Sequence, residues 1–359
     1  RRLVQPLENH RLTAGIQVFL DLATRNNSQI ERIDKTLLDQ YIAQIDQTIG
    51  TEHEYFLAPA IYTPELVATL RKKLQEAQEI INALRVRGRE LTRNEQLYVD
   101  RMRFTDMSFR IIEAYMEMVH AAATEVNYAA AVKAGERGLA VRESLTDMNG
   151  IFTTYRKMKE RGYAWWPGEV KQYRELLEYT DGTKGTLVKK LALAWAFRRD
   201  KENVGLQRNC HTAPVDLTYW NEHKGEITVQ NRKDYPDQWE MLRTDLYIQA
   251  QGIRDPDRQS YTGWAWYRTD VELTGAQAGG KLHLRFPGLF NDCWLYVNGQ
   301  EVAHRGMKNP IWWYNDYRFE WDVDLTGKVK AGRNVIALRL HNPHHFGGMF
   351  RRPFLYAPK

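Results

Sequence analysis

The chain has 359 residues, 43% of them hydrophobic, and 51 basic residues against 45 acidic ones give a net charge of +6. This length and apolar content are enough for two domains with ordinary cores. The charges are interspersed without a long basic run, which argues against a nucleic-acid-binding protein. No stretch approaches the about 20 consecutive apolar residues of a membrane helix, so we expect no membrane partner.

The first half of the chain has the apolar periodicity of helices. Thr63, Pro64 and Glu65 are typical of an N-cap followed by a first helical turn. Apolar residues then recur at spacings of three and four, and Gly88 stands where this helix should end. The stripe consists of Leu66, Leu70, Leu74, Ala77, Ile81 and Leu84.

Further helices are predicted after this one. The longest covers about residues 94–134, and its apolar arc is wide enough to pack on more than one neighbour. Shorter helices are predicted at about 139–161, 168–179 and 184–199. Because the connections are short, we expect residues 1–205 to form an antiparallel helical bundle.

Beyond residue 205 the pattern changes to short alternating runs of β-branched and aromatic residues, separated by glycine-containing turns. Asn298 and Gly299 give the strongest hairpin signal. Eight of the eleven tryptophans follow residue 214, an aromatic content that favours a β-sandwich with a binding face. We expect this sandwich to cover residues 206–359. Its predicted strands include 265–273, 281–286, 294–297 and 335–340.

The cysteine and histidine content gives little evidence for a metal or a disulfide. Cys210 and Cys293 are compatible with one bridge or with two buried thiols. The run from His341 to His345 lacks a spaced cysteine or carboxylate partner, so a polar ligand contact or a loop cap is favoured over zinc. We assign no metal site and expect no cofactor other than, at most, a structural calcium ion.

Four ordered stretches carry a family resemblance. They are Tyr261–Arg268, Asn291–Val302, Lys330–Leu340 and Gly348–Pro353. Together they resemble the sugar-binding domain that precedes the barrel in family 2 glycoside hydrolases such as β-galactosidases and β-glucuronidases. The resemblance implies a galactose-binding-like jelly roll and a saccharide partner, for which the positive net charge favours an acidic sugar. The fold class that follows is multidomain α and β, a helical bundle plus a β-sandwich.

The helical half resembles, more loosely, the region that follows the barrel in uncharacterised bacterial proteins related to α-glucuronidases. The carriers are Tyr62–Leu66 and the Arg101–Tyr115 helix. Those proteins have an upstream (β/α)8 domain, for which this chain shows no alternation of strands and helices. The resemblance therefore implies that the catalytic carboxylates lie in such a barrel. Because the chain opens on Arg1 rather than Met, we expect a leader or a larger part before it. A bacterial protein that faces carbohydrate is usually exported, so we expect an exported protein.

The loops of the sandwich supply the first candidate ligand residues. A sugar ring needs an aromatic plate with planar polar groups beside it. Trp312 and Trp313 precede Asn315 and Asp316 in one loop, and adjacent residues of a strand point to opposite faces. One of the two tryptophans is therefore expected to be free for a ligand, the alternative being that both pack under loops.

The loop 251–261 supplies a second set, since in the resembled family this loop reaches toward the barrel's active site. Its members are Asp255, Arg258 and Tyr261, and the hairpin residues Asn291 and Asp292 complete the set together with His344. By contrast, Tyr267 and Arg268 of the following strand are expected to be buried, with Arg268 paired to a carboxylate. No catalytic pair is assigned, because Asp residues in turns are ordinarily turn formers or caps.

Three functions are consistent with these features. The favoured one is an accessory region of a glycoside-hydrolase-like protein, which binds or positions a saccharide and has no complete catalytic site of its own. The second is a glycosidase whose active site is completed by another domain or chain. The third is a non-catalytic structural module whose helical part mediates assembly.

Overall fold

The computed structural model describes residues 61–85, 88–148, 165–255, 261–290, 292–306, 318–342 and 347–359. Within these ranges the chain divides into two units. One contains residues from Ile61–His120 and Ala129–Tyr173, and the other contains residues from Ala121–Tyr128 and Arg174–Lys359. The first is helical and the second is dominated by antiparallel sheets, so the expected multidomain combination of helix and sheet is confirmed.

Six helices lie in the described residues, and three of them begin at a capping threonine, Thr63, Thr92 or Thr274. The six are α1 (Pro64–Arg85), α2 (Arg93–Val119), α3 (Tyr128–Met148), α4 (Trp165–Leu177), α5 (Thr218–His223) and α6 (Gly275–Gly279). The Thr63 Oγ1 accepts a bond from the Leu66 N–H at 3.3 Å, which confirms the predicted N-cap. At α2, Thr92 and Glu95 bond each other's backbone N–H groups in a capping box.

The first two helices pack through their predicted apolar stripes. Leu74 of α1 lies in one buried cluster with Met102, Phe109 and Ile112 of α2. The half-buried side chains at the cluster's edge include Leu70, Ala77 and Ile81 of the predicted stripe. None of the helices in the described ranges is both long and apolar enough to cross a membrane.

The single helix predicted for residues 94–134 is wrong in one respect. After Val119 the chain makes a π-helical turn over His120–Thr124, and Val126 then has a positive φ of 50° before α3 begins. The Ala121–Ala123 run that precedes this break is a good helix former, so local propensity gives no sign of it. Backbone bonding decides instead, because the Asn127 N–H donates to the Ala121 carbonyl at 2.8 Å.

Twelve strands form three sheets in the described residues. The four-stranded sheet has the order β1 (Gly185–Lys190), β12 (Phe354–Pro358), β5 (His283–Phe286) and β9 (Trp321–Asp324). The six-stranded sheet has the order β3 (Glu240–Arg243), β2 (Ala194–Arg199), β4 (Gly263–Leu273), β10 (Gly332–Asn342), β7 (Asp292–Val297) and β8 (Gln300–Arg305). A small sheet pairs β6 (Gly288–Phe290) with β11 (Gly348–Arg351).

The four-stranded and six-stranded sheets share one apolar core. Leu284, Val323 and Leu355 come from the first sheet, and Leu295 and Leu338 come from the second. Alternate residues of each strand face this core, as the period of two requires. The four strands predicted from alternation are confirmed. The Asn298–Gly299 turn between β7 and β8 is confirmed as well, with positive φ at both residues.

The helix predicted at 184–199 is wrong, because this segment forms β1 and β2. Its apolar residues fit both the period of a helix and the period of two of a strand. In the structure Trp195 and Phe197 alternate with outward-facing neighbours and fill the shared core. Their partners lie far along the chain: β1 pairs with β12, and β2 pairs with β3 and β4. Such distant pairing overrides local propensity. The sheets thus include residues before position 205.

The cysteines are two buried free thiols, which resolves the alternative left open by the sequence. Cys293 lies in the core shared by the sheets, whereas Cys210 belongs to a separate cluster around Trp266. Burial raises the pKa of the Cys293 thiol to about 12. This thiol is therefore protonated at neutral pH.

Candidate functional site

The outer face of the six-stranded sheet, which points away from the shared core, carries the candidate site. In β10 the core-facing residues are Ile336, Leu338 and Leu340. The residues that alternate with them, including Arg339 and His341, therefore lie on the outer face. Antiparallel register aligns outer-face residues of neighbouring strands into rows across the sheet.

One half of this outer face is covered by residues 200–213. The carboxylate of Asp200 accepts the Trp266 Nε1–H at 3.0 Å and the Gly205 N–H at 2.9 Å. Trp266 is completely buried, in a cluster with Cys210 of the same segment. The covering segment is therefore fixed to the sheet by both apolar packing and hydrogen bonds.

Arg268 fixes the C-terminal end of the covering segment. Its guanidinium donates to the carbonyls of Cys210 at 3.3 Å and Thr212 at 3.1 Å, and also to that of Ala213. The side chain is buried as predicted, but the predicted carboxylate partner is wrong. Three carbonyls of one irregular segment match the planar donor array of arginine better than a single acid does.

The other half of the face carries what we call the outer aromatic row, which is Trp264, Trp294, His304, Arg339 and His341. The two indole rings lie 5.3 Å apart, and each stacks on a histidine at 4.3 Å, Trp264 on His341 and Trp294 on His304. Both tryptophans are half-buried and His304 is exposed. Part of each ring thus reaches solvent on the sheet.

Charged groups are placed within this row. The Arg339 guanidinium lies 3.9 Å from the Trp264 ring centroid and 5.1 Å from that of Trp294. Its Nη2 donates to Asn203 Oδ1 of the covering segment at 2.6 Å. The Asp292 carboxylate lies 3.8 Å from His341 Nδ1. The row therefore combines partly exposed aromatic rings with N–H donors and a carboxylate acceptor for hydroxyls.

Three of the sequence-predicted ligand residues lie in the described ranges. Asp292 lies beside the row, with its carboxylate 3.8 Å from His341 Nδ1. Asp255 accepts the Thr262 N–H at 3.1 Å, so it holds the loop before β4. Tyr261 is 0% exposed and donates to the Trp264 carbonyl at 2.6 Å, which makes it a core residue under the row.

The remaining predicted ligand residues lie outside the described residues. They are Arg258, Asn291, Trp312, Trp313, Asn315, Asp316 and His344. Their expected ligand contacts stay predictions. In the described part of the chain no cluster of three metal-ligating side chains is found, and His341 of the histidine run is stacked on Trp264.

Sequence reasoning missed most of the row. Trp264, Trp294 and Arg339 were included only in motif stretches, and His304 was not singled out. The alternation did contain a signal for the row. Outward-facing positions of a half-exposed strand are ordinarily small or charged, whereas Trp264 and Trp294 occupy such positions here. Their assembly could not be seen, because β10 joins β4 and β7 from about 40–70 residues further along the chain.

One carboxyl among the described residues has a raised pKa, at a place that no substrate can reach. Burial raises the pKa of Glu240 to about 7, against the smaller opposing effects of Arg232 and Arg199. Glu240 is 1% exposed, and its Oε2 lies 3.0 Å from Arg232 Nε. This carboxyl lacks the access to substrate that a glycosidase acid requires.

The raised pKa of Glu240 predicts a pH-dependent stability. Because the folded state holds this proton more tightly than the unfolded state, the stabilisation is complete below about pH 4.5 and is lost as the pH rises through about 7. The unfolding free energy of the wild type, relative to Glu240→Gln, should therefore fall by about 2–3 kcal/mol between pH 5 and pH 8. Urea titrations of both proteins at the two pH values measure it. A difference that stays constant or grows contradicts the assignment.

Comparison with known proteins adds two findings. No protein-family model matches the chain. It is similar to a β-glucuronidase from Ruminococcus gnavus in complex with D-glucaro-d-lactam, at 14% identity and a TM-score of 0.36, over 49% of this chain and 30% of that chain. It is also similar to a β-glucuronidase from an uncultured Clostridium species, at 16% identity and a TM-score of 0.36, over 49% of this chain and 30% of that chain. The chain thus spans less than a third of each structure, and at these values the similarity carries no conclusion about activity.

Proposed function

We propose that this chain is an accessory region of a glycoside-hydrolase-like protein, and that its sandwich binds a saccharide on the outer aromatic row. The proposal includes a galactose-binding-like jelly roll. Two antiparallel sheets around one core support that fold. The motifs Tyr261–Arg268 and Lys330–Leu340, which carry the resemblance, form most of the adjacent strands β4 and β10.

The observation that carries the binding function is the pair of half-buried indoles, Trp264 and Trp294, with the Arg339 guanidinium between them. Pyranose rings present C–H groups on their faces and hydroxyls around their edges, so they need adjacent ring surface and polar groups. The row offers ring surface, and Arg339 and Asp292 offer a donor and an acceptor beside it. Rigid strands hold all of these groups, which limits the entropy cost of binding.

The positions of two other carboxyls, those of Asp255 and Glu240, favour binding over bond cleavage. Glycoside hydrolysis requires two accessible carboxyls on either side of the scissile bond. Asp255 is engaged with the backbone of Thr262, and Glu240 is enclosed by Arg232. We therefore propose that the catalytic carboxylates lie in an upstream barrel domain, and that the protein is exported to meet its saccharide.

Affinity electrophoresis tests this function and predicts the effect of one substitution. The protein is run through native gels that contain polygalacturonate, xylan, galactan or rhamnogalacturonan. We expect at least one polysaccharide to retard the wild type. We expect Trp294→Ala to weaken this interaction by about 1–3 kcal/mol, the scale of a lost aromatic contact at a binding hot spot.

The matched control is Trp220→Ala, because Trp220 is also half-buried and also lies under a guanidinium, that of Arg232 at 5.3 Å. It lies on α5, which belongs neither to the covering segment nor to the row, and its ring packs on Tyr235. We expect its retardation to match the wild type. Retardation by none of the polysaccharides, or equal retardation of the wild type and Trp294→Ala, contradicts binding on this face.

A further inference from the structure

We infer that Arg339 is the specificity-determining residue of the outer aromatic row, and that it selects saccharides that carry an anionic group, a carboxylate or a sulfate ester. This inference rests on the proposed function and names the ligand class for the same site. Three observations carry it: the guanidinium is held in one orientation, it has no ion-pair partner in the described residues, and one of its nitrogens reaches solvent.

Two kinds of contact fix the Arg339 guanidinium on the outer face of the sheet. Its Cζ lies 3.9 Å from the Trp264 ring centroid and 5.1 Å from that of Trp294, and its Nη2 donates to Asn203 Oδ1 at 2.6 Å. Stacking occupies the flat faces of a guanidinium, whereas its N–H groups point outward in the plane. The rings therefore fix the orientation of Arg339 without blocking its edge.

The partners of Arg339 in the described part of the chain are neutral. Besides the amide oxygen of the covering segment, the Tyr296 hydroxyl lies beside the guanidinium. The carboxylates around the row have other partners: Glu301 accepts the Tyr296 hydroxyl at 3.2 Å, and Asp292 lies 3.8 Å from His341 Nδ1. Arg339 is thus a half-buried cation without a counter-ion, and an anionic ligand would supply one.

The nitrogens of Arg339 differ in their access to a ligand. Nε is buried and has no acceptor among the described residues, and Nη2 is bonded to Asn203. Nη1 has no hydrogen bond in these residues either, but it is not one of the buried unpaired donors, so it reaches solvent. It carries two N–H groups, which match the oxygens of a carboxylate or a sulfate ester.

A fixed cation differs in its effect from the net charge of the chain. The net charge of +6 attracts any polyanion and is screened by salt, whereas a charge-assisted hydrogen bond depends on where the anionic group lies. Arg333 provides the comparison. It occupies an outward-facing position of the same strand β10, but it is paired with Asp270 at 2.7 Å. Because this cation already has its anion, we expect it to contribute no selectivity.

The experiment is calorimetry of the full chain with saccharide pairs that differ only in charge. The pairs are trigalacturonate and its methyl ester, glucuronoxylan and its carboxyl-reduced form, and galactan with and without sulfate esters. We expect the wild type to bind the anionic member of at least one pair at least about tenfold more tightly, the lower limit for a hydrogen bond to a charged group. We expect Arg339→Gln to abolish this preference. Its Kd for the neutral member should stay within about twofold of the wild type, because the glutamine amide still donates to a hydroxyl.

Arg333→Gln is the matched control, because it removes the same charge from the same face of the same strand. We expect it to retain the preference of the wild type. Equal loss of the preference in both variants overturns this inference, since net charge then accounts for it. Absence of any preference in the wild type, while Trp294→Ala still weakens binding, overturns this inference and leaves the proposed function standing. Binding of no saccharide overturns both.

The pairs also distinguish the two sources of the anionic group. A preference in the first two pairs identifies a carboxylate, and a preference confined to galactan identifies a sulfate ester. If Arg339→Gln does not fold, Arg339→Lys replaces it, because lysine keeps the charge but lacks the planar array of donors. We expect this variant to lose at least about threefold of the preference. A preference equal to that of the wild type would overturn the role of the fixed guanidinium.

Discussion

Replacing Trp266 with alanine should lower the free energy of unfolding by about 3–5 kcal/mol, the range found for large buried aromatic residues. The indole is 0% exposed and packs between the sheet and the covering segment, in one cluster with Cys210 and Tyr296. The substitution also leaves the Asp200 carboxylate without its 3.0 Å bond from Nε1. Urea denaturation followed by circular dichroism measures the change.

A second variant separates packing from hydrogen bonding at this site. Trp266→Phe keeps most of the apolar contact but leaves Asp200 Oδ2 without the indole donor, so we expect a smaller loss of about 1–3 kcal/mol. Asp200 retains its 2.9 Å bonds from the Val204 and Gly205 N–H groups. If Trp266→Ala costs less than about 1 kcal/mol, the value typical of an average substitution, the described burial of Trp266 is contradicted.

Replacing Arg268 with leucine should cost about 1–3 kcal/mol, because the carbonyl of the buried Cys210 loses its donor, whereas Thr212 is exposed and Ala213 is half-buried, so that water can replace the donor there. The affected carbonyls belong to Cys210, Thr212 and Ala213. We also expect the covering segment to become sensitive to trypsin at Arg208, since its anchoring at the C-terminal end is lost.

Arg198→Leu is the control for this substitution. Arg198 lies on β2 opposite Trp266 and is half-buried, so its loss should change the unfolding free energy by less than about 1 kcal/mol. Equal effects of the two arginine substitutions, with no cleavage at Arg208, would show that Arg268 does not fix this segment.

Local signals account for the parts of the fold that the sequence predicts correctly. The N-cap at Thr63 and the stripe around Leu74 depend on residues close together in the chain, and the Asn298–Gly299 turn fixes its own hairpin. At the end of β4 the exposed Asp270 and Glu272 alternate with the buried Val271 and Leu273, a period of two that favours a strand over a helix.

The errors arise where distant contacts decide the conformation. Residues 184–199 have no β-branched run long enough to exclude a helix, and their strand character depends on partners near both 265 and 355. The site is harder to predict for the same reason. Trp294 and His304 face each other within the β7–β8 hairpin, but Trp264 joins them only because β10 lies between β4 and β7. In a sequence, an aromatic residue in a predicted loop, such as Trp312, indicates a ligand site. An aromatic residue in a predicted strand has the same pattern as a core residue.

The most direct test of saccharide binding on this face is a calorimetric titration of the retarding polysaccharide into Trp264→Ala/Trp294→Ala, with the wild type measured in parallel. Removing both indoles eliminates the adjacent ring surfaces, which lie 5.3 Å apart, while the fully buried Trp266 remains. We expect the Kd to rise at least about a hundredfold, which corresponds to about 3 kcal/mol. A folded double variant that binds the polysaccharide with the wild-type Kd would contradict the account.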